Sequence, residues 1–237
     1  MRVETITCVY NEEFLLPFYL QHYSWVDRVN IIFDIDTNDA SLRRIVSYSK
    51  SLGLDVKLTL MDMPEGMDNI IKINNINWVY KQLPADSFAL LVDADEFVLV
   101  DREKLEQIKD LVTVVYFGHV YRHVDEEDLD PTKPIKEQRR HGFISGRKPI
   151  VVRGGLDASW DVGCHECSVK PYNDIGLVLA HWCMADPCFC IDRRYLDRVL
   201  RYSDNNKKHG FSTHISSATR ESLLAECRQH ENDAAIW

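Results

Sequence analysis

SFALLVDADEFVLV, Ser87 to Val100, decides the fold. Largely apolar residues lead into Asp93-Ala94-Asp95-Glu96-Phe97, and apolar residues resume afterwards. A short apolar run free of charge is the signature of a strand buried on both faces of a parallel sheet. Three carboxylates do not belong in that interior, so the strand ends where they begin and presents them at its C-terminal edge. In open α/β sheets that edge is where ligands bind. Asp93 and Asp95 are separated by a single residue and can aim at one point. Acids gathered at a strand end suit a hard divalent cation, held by oxygen ligands and shared with a phosphate group.

Working outward, the chain alternates strands and helices. Val3 to Tyr10 reads as a first strand, stopped by Asn11-Glu12-Glu13. Phe14 to Trp25 reads as an amphipathic helix with Pro17 in its first turn, where proline is tolerated. Val29 to Phe33 is a second strand, and Asp34 to Asp39 a polar loop in which Asp39 or Ser41 can cap a helix ending at Gly53. Val56 to Leu60 is a third strand, Asp68 to Leu83 a helix, Arg102 to Lys109 another, and Val112 to Phe117 a further strand. The β-α-β-α-β-α-β order predicts an α/β, Rossmann-like fold with a mostly parallel central sheet and helices on both faces. Beyond Gly118 the acidic Asp125 to Asp130 and basic Lys133 to Lys148 runs suggest a mobile or acceptor-facing segment, Val124 to Gly146. Strands near Ile150 to Val152 and Gly176 to Ala180 follow, then closing helices at Arg193 to Tyr202 and Glu221 to Gln229. The expected organisation is one domain over 1–237, with a nucleotide-binding half at 1–118 and an acceptor-binding half at 119–237.

Composition narrows the function. The 237 residues are 45% hydrophobic and 27% charged, enough for a proper core. A net charge of −9 argues against nucleic acid as the main ligand, and the Arg139-Arg140 patch has no interleaved aromatics to stack bases. No apolar run reaches the ~18 residues of a membrane span. Seven cysteines, an odd number, point to a reducing compartment. The expected location is the cytoplasm, with contact at its inner membrane face left open. No Gly-x-Gly-x-x-Gly and no Gly-x-x-x-x-Gly-Lys occurs where a dinucleotide or P-loop site needs one.

Asn11-Glu12-Glu13, His22-Tyr23, Asp36-Thr37-Asn38-Asp39-Ala40-Ser41 and Asp93-Ala94-Asp95-Glu96-Phe97, in that order, resemble the motifs of the GT-A glycosyltransferases, in particular the family-two-like branch. Arg147-Lys148-Pro149-Ile150, Gly163-Cys164-His165-Glu166 and His181-Trp182 fall where that branch carries further polar motifs. The resemblance implies transfer of a sugar from a nucleotide-diphosphate donor to a hydroxyl of a glycan or lipid-linked glycan. It implies Mn²⁺ or Mg²⁺ held by Asp95 and Asp93, with His181 as third ligand and Asp93 also at the ribose. The nucleoside would meet Asn11, Glu12 or Glu13 and Asp36 or Asp39. Lys72, Arg147 and Lys148 would meet the donor or an anionic acceptor. Glu166 is the first choice for the general base an inverting enzyme needs, with Asp161 or Asp157 behind it.

Bland alternatives stand beside these. His22, among apolar neighbours, reads as a satisfied core histidine, Lys72 as a solvated helix residue, and Asp39 as a cap. Cys164, Cys167, Cys183, Cys188 and Cys190 have poor spacing for a zinc knuckle and read as buried, reduced thiols. Two rival functions remain open: a haloacid-dehalogenase-type phosphohydrolase using Asp34 as its nucleophile, and a sugar-nucleotide-binding module without catalysis.

Overall fold

A computed structural model describes residues 1–108, 111–170, 172–211 and 218–237. Its centre is an eight-stranded sheet in the order β3-β2-β1-β4-β7-β6-β8-β5. The strands are β1 (Arg2–Val9), β2 (Arg28–Asp34), β3 (Val56–Met61), β4 (Ser87–Leu91), β5 (Glu96–Val98), β6 (Val112–Tyr121), β7 (His141–Arg153) and β8 (Asn173–Met184). The first four are mutually parallel. They are linked by α1 (Leu16–His22), α2 (Ser41–Leu52) and α3 (Asn69–Tyr80), as parallel crossovers require. Successive residues of β4 and most of β1 and β2 are buried, so both faces of this half are covered. The fold is thus α/β with a Rossmann-like parallel half, as the alternation predicts.

The second half is mixed. β7 runs antiparallel to both β4 and β6, β8 runs parallel to β6, and β5 lies antiparallel to β8 at the far edge. The opening stretch is therefore two strands in different parts of the sheet, with the acids in the turn between them. That turn carries the chain from β4, beside β1, across to β8. Helix α4 (Arg102–Gln107) follows, and Lys109 at its expected end lies outside the described residues.

Part of the segment read as mobile or acceptor-facing is regular structure. Ile135–Gln138 forms a short helix, and β7 begins at His141, placing the basic run inside the sheet between β4 and β6. Gly142 has φ +153°, and a Cβ there would sit 1.8 Å from the His119 carbonyl oxygen. A glycine is what lets β6 and β7 pair this closely. Arg139 is 1% exposed and donates to the carbonyls of Ala185, Glu127 and Gln138 at 2.7–2.8 Å. It ties chain to chain, and is no surface patch.

The C-terminal segment wraps back over the parallel half. Pro187–Phe189, the π-helical Cys190–Leu196 and Asp197–Leu200 follow one another without a break. Two reciprocal backbone bonds dock this arm onto the β3–α3 loop: Met67 N to Arg201 O at 2.6 Å and Ser203 N to Met67 O at 3.0 Å. Asp68 caps α3 with Oδ1, while its Oδ2 accepts from Ser203 Oγ and Asn205 Nδ2. No helix among the described residues is long and apolar enough to cross a membrane.

Candidate active site

The acidic turn lies where the C-terminal arm crosses the strand ends. Asp93 and Arg198 line three adjoining cavities, which makes them the junction of one cleft. The first is a slot of about 90 Å³ between Tyr10, Asn11, Glu12 and Asp34 on one side and Met61, Met63 and Met67 on the other. Arg193, Arg198 and Arg201 close it. The second, about 470 Å³, is bounded by Asp93, Asp95, Glu96, Phe117, His119, Lys148, His165, His181, Cys183 and Tyr195, among others. The third runs under Lys72, Cys164 and His165.

Each carboxylate of the acidic turn has a cationic partner. Lys72 Nζ lies 2.7 Å from Asp93 Oδ1, His181 Nε2 lies 3.0 Å from Asp95 Oδ2, and Lys148 Nζ lies 2.5 Å from Glu96 Oε1. Burial opposes ionisation of Asp93, but the charge and hydrogen bond of Lys72 together with the Lys148 charge outweigh it and hold the carboxyl below the usual range. Burial likewise opposes charge on Lys72 and Lys148, and Asp93 and Glu96 respectively restore it. Lys72 is thus a partly buried ion-pair partner, not a solvated helix residue. Lys148 also lies under the cleft, its ammonium 4.5 Å from the centre of the Phe117 ring.

Sheet pairing explains this convergence. Glu96 pairs with His181 across β5 and β8, and Trp182 N donates to Asp95 O at 2.8 Å. His181 is also level with His119 across β6 and β8. One row of the sheet therefore collects the acidic turn and two histidines.

The loop after β1 is held by its own side chains. Asn11, at φ 50°, accepts through Oδ1 from the N–H groups of Asn38 and Asp39 and donates to Asn38 Oδ1. Glu13 Oε2 accepts from Ala40 N, and Asp39 accepts from Glu13 N and Ser41 N. Of the expected nucleoside residues, Asn11 and Glu12 line the slot. Glu13 and Asp39 knit two loops together, and Asp36 is exposed. The strand-end acid that reaches the slot is Asp34, which is 1% exposed. Its Oδ1 accepts from Asp36 N at 3.0 Å and its Oδ2 from Arg201 at 3.2 Å. Arg201 in turn lies over the Tyr10 ring.

The expected base does not reach the cleft. Glu166 is exposed and 3.4 Å from Lys170. Asp161 is exposed and spends Oδ1 on Glu166 N, closing a turn, and Asp157 is exposed and faces Lys81. These acids are structural because the loop turns between its two neighbours: Gly163 and Cys164 both adopt positive φ. That backbone places Cys164 and His165 along the cavities, His165 from an exposed position, and leaves Glu166 outside them. Burial and the nearby Lys148 charge push the His165 imidazole below its ordinary pKa. Arg147 lines the larger cavity but pairs with Asp174 at 2.9 Å.

Among the described residues, the one group of three or more His, Cys, Asp or Glu ligand atoms lying within 4.8 Å of one another is His119, His181 and Cys183. The trio expected to hold Mn²⁺ or Mg²⁺, namely Asp93, Asp95 and His181, does not gather in this way. Cys164 and Cys167 fall outside the group, and the side chain of Cys188 lies outside the described residues.

Sequence reading missed Arg193, Arg198, Arg201, Tyr10, the three methionines, His119 and Cys183. The π-helical turn hid the arginines. Its hydrogen bonds run from i to i+5, which brings Arg193 and Arg198 to the same cleft, a spacing no α-helical periodicity reveals.

No protein-family model matches this chain, and no curated protein does. Solved structures show distant likeness. HddC from Yersinia pseudotuberculosis aligns at 13% identity over 76% of this chain and 77% of its own, with a TM-score of 0.36. HddC complexed with GMP-PN aligns at 13% over 65% and 72%, with a TM-score of 0.34. The inositol-1-phosphate CTP transferase from T. maritima aligns at 10% over 89% and 81%, with a TM-score of 0.36. Likeness this remote assigns no activity. The cleft itself must carry the functional argument.

Proposed function

We propose that the chain is a glycosyltransferase that moves a sugar from a nucleotide-diphosphate donor to an acceptor hydroxyl, of the glycan kind the sequence resemblance implies. The observation that carries this reading is the junction formed by Asp93 and Arg198. It separates a narrow slot, apolar on its methionine side, from a wider polar cavity. The reading places the base at the slot, where thioethers adapt to an aromatic ring. Arg193, Arg198 and Arg201 at its mouth suit a diphosphate, because guanidinium groups bind phosphate oxygens in paired, charge-assisted bonds. The sugar then falls at Asp93, and the wider cavity is left for the acceptor.

The chemistry is a single displacement. The acceptor oxygen forms a bond to the anomeric carbon, the carbon–phosphate oxygen bond breaks, and the nucleoside diphosphate leaves with the electron pair. Arg198 offsets the charge that develops on the diphosphate, flanked by Arg193 and Arg201, whose own partners are Asp197 and Asp34. His165 takes the hydroxyl proton, since its depressed pKa leaves the imidazole neutral near pH 7. Such a displacement inverts the anomeric centre. Asp93, Asp95 and His181 do not gather as a ligand set, and Mn²⁺ or Mg²⁺ there would have to displace the Lys72 and His181 contacts, each of which takes one carboxylate oxygen. No step here depends on that ion.

The phosphohydrolase alternative loses its nucleophile. Both Asp34 oxygens are engaged, and the carboxylate is buried under Arg201.

Calorimetric titration with UDP, GDP and CMP tests the proposal. One nucleoside diphosphate is expected to bind, and Arg198→Ala to weaken it about 10- to 100-fold, the size of one charge-assisted bond. Incubation with the matching sugar nucleotide should release the nucleoside diphosphate only when acceptor is present. Failure of every nucleotide to bind overturns the reading. Pyrophosphate release from a nucleoside triphosphate and a sugar phosphate would replace it with nucleotidyl transfer.

A further inference from the structure

His119, His181 and Cys183 are brought together by strand pairing alone. β6 and β8 run parallel with His119 directly opposite His181. Side chains alternate along a strand, so Cys183 returns to the His181 face two residues later. The three ligand atoms lie within 4.8 Å of one another, with Cys183 Sγ 3.6 Å from His119 Nδ1. Cys183 is 4% exposed, and all three residues line the 470 Å³ cavity.

The fourth participant is Asp95. Its Oδ2 takes His181 Nε2 at 3.0 Å, with the Asp95 side chain only 3% exposed. The other ring nitrogen, Nδ1, is buried and makes no hydrogen bond among the described residues. A carboxylate that fixes one nitrogen of an imidazole while the other faces further ligands is the outer-shell arrangement typical of metal-bound histidine. Asp95 in this role orients a ligand and is not one itself.

We propose that His119, His181 and Cys183 bind a borderline-soft divalent cation of the zinc class, with a fourth coordination position open to the cavity. Two imidazoles and a thiolate select for zinc or cobalt over magnesium or manganese, whose preferred donors are oxygens. Metal–nitrogen bonds of about 2.0 Å and a metal–sulfur bond of about 2.3 Å in tetrahedral geometry place ligand atoms roughly 3.5 Å apart. Cys183 Sγ and His119 Nδ1 already stand at 3.6 Å, and the other separations, at most 4.8 Å, would contract toward it. Three protein ligands and one open position mark a reactive rather than a purely structural site. A hydroxyl or water arriving from the cavity would be the fourth ligand. The site does not depend on the cavity accepting a sugar, and it stands or falls by metal binding alone.

The test uses the full chain stripped of metal by chelation. Titration with Co²⁺ is expected to give visible bands and a near-ultraviolet thiolate-to-cobalt charge-transfer band. Cys183→Ser should abolish the charge-transfer band with circular dichroism unchanged. His119→Ala should weaken Zn²⁺, read by competition with a chromophoric chelator, at least tenfold, and Asp95→Asn about 10- to 100-fold. Asp93→Asn should bind Zn²⁺ as the parent does. X-ray absorption on zinc-loaded parent protein needs no variant, and should show one sulfur and two imidazole nitrogens around the metal. A folded parent without the charge-transfer band, a band that survives Cys183→Ser, loss of zinc on Asp93→Asn, or a shell of oxygens alone overturns the assignment.

Discussion

At the residue scale, the decisive pairing is Lys148 with Glu96. Both side chains are almost fully buried, at 9% and 4% exposure, and their charged atoms are 2.5 Å apart. A buried charge deprived of its partner costs about 3–5 kcal/mol, whereas removing both charges is far cheaper. Lys148→Met alone is therefore expected to lower stability in urea titration by about 3 kcal/mol or more. Lys148→Met with Glu96→Gln should recover most of that loss. If the double variant is as unstable as the sum of the singles, the pair is not a coupled unit. The acid's role was only half legible in sequence. Its position after an apolar strand identified Glu96 as one of the acids at the sheet edge, but its partner lies 52 residues further on, at the end of the basic run. Lys72 was misread for a similar reason: helical spacing locates its face, not the acid opposite. His22 was legible because its neighbours are apolar, and it is held at 3.0 Å from Val98 O with burial pushing its pKa down to about 4.

At the element scale, the clasp between α3 and the C-terminal arm governs the slot. Asp68 serves both sides, capping α3 and holding Ser203 and Asn205. Gly66, at φ +93°, makes the close approach possible, since a Cβ there would sit 2.1 Å from Arg201 O. An N-cap aspartate contributes about 1 kcal/mol and each further buried hydrogen bond about as much. Asp68→Ala is accordingly expected to lower the urea-derived stability by about 2–3 kcal/mol. It should weaken nucleotide binding as well, because Arg201 loses its anchorage. Asp68→Asn, which keeps an acceptor for α3, should fall between. Unchanged nucleotide affinity in a destabilised Asp68→Ala protein would separate the clasp from the site. Apart from β5, which the opening stretch conceals, the elements up to β6 could be read from the chain because apolar alternation, Gly53 and the polar breaks mark their limits within a few residues. The arm could not, since a π-helical turn has no α-period and its arginines face a cleft built from residues more than a hundred positions earlier.

At the scale of the molecule, the sheet joins what composition divides. The shift in character after Gly118 suggests two halves, yet Gly118 lies inside β6 and pairs with Ile144 and Ala180. β4, the last strand of the parallel half, is covered along its outer edge by β7, through Phe88 with Arg153 and Leu90 with Val151. The arm then returns to the β3–α3 loop by the paired bonds at Met67, so the second half closes the first at both its sheet edge and its ligand slot. Neither half can leave without exposing unpaired strand and apolar core to water. The chain should therefore unfold in one cooperative step. Urea titrations followed by far-ultraviolet circular dichroism and by tryptophan fluorescence are expected to superimpose, with one midpoint. Trp25 and Trp78 report on the first half and Trp160, Trp182 and Trp237 on the second, while helices of both halves contribute to the dichroism. A fluorescence transition that precedes the loss of helix would mean that the halves separate, and that the slot and the wider cavity belong to units with independent stability.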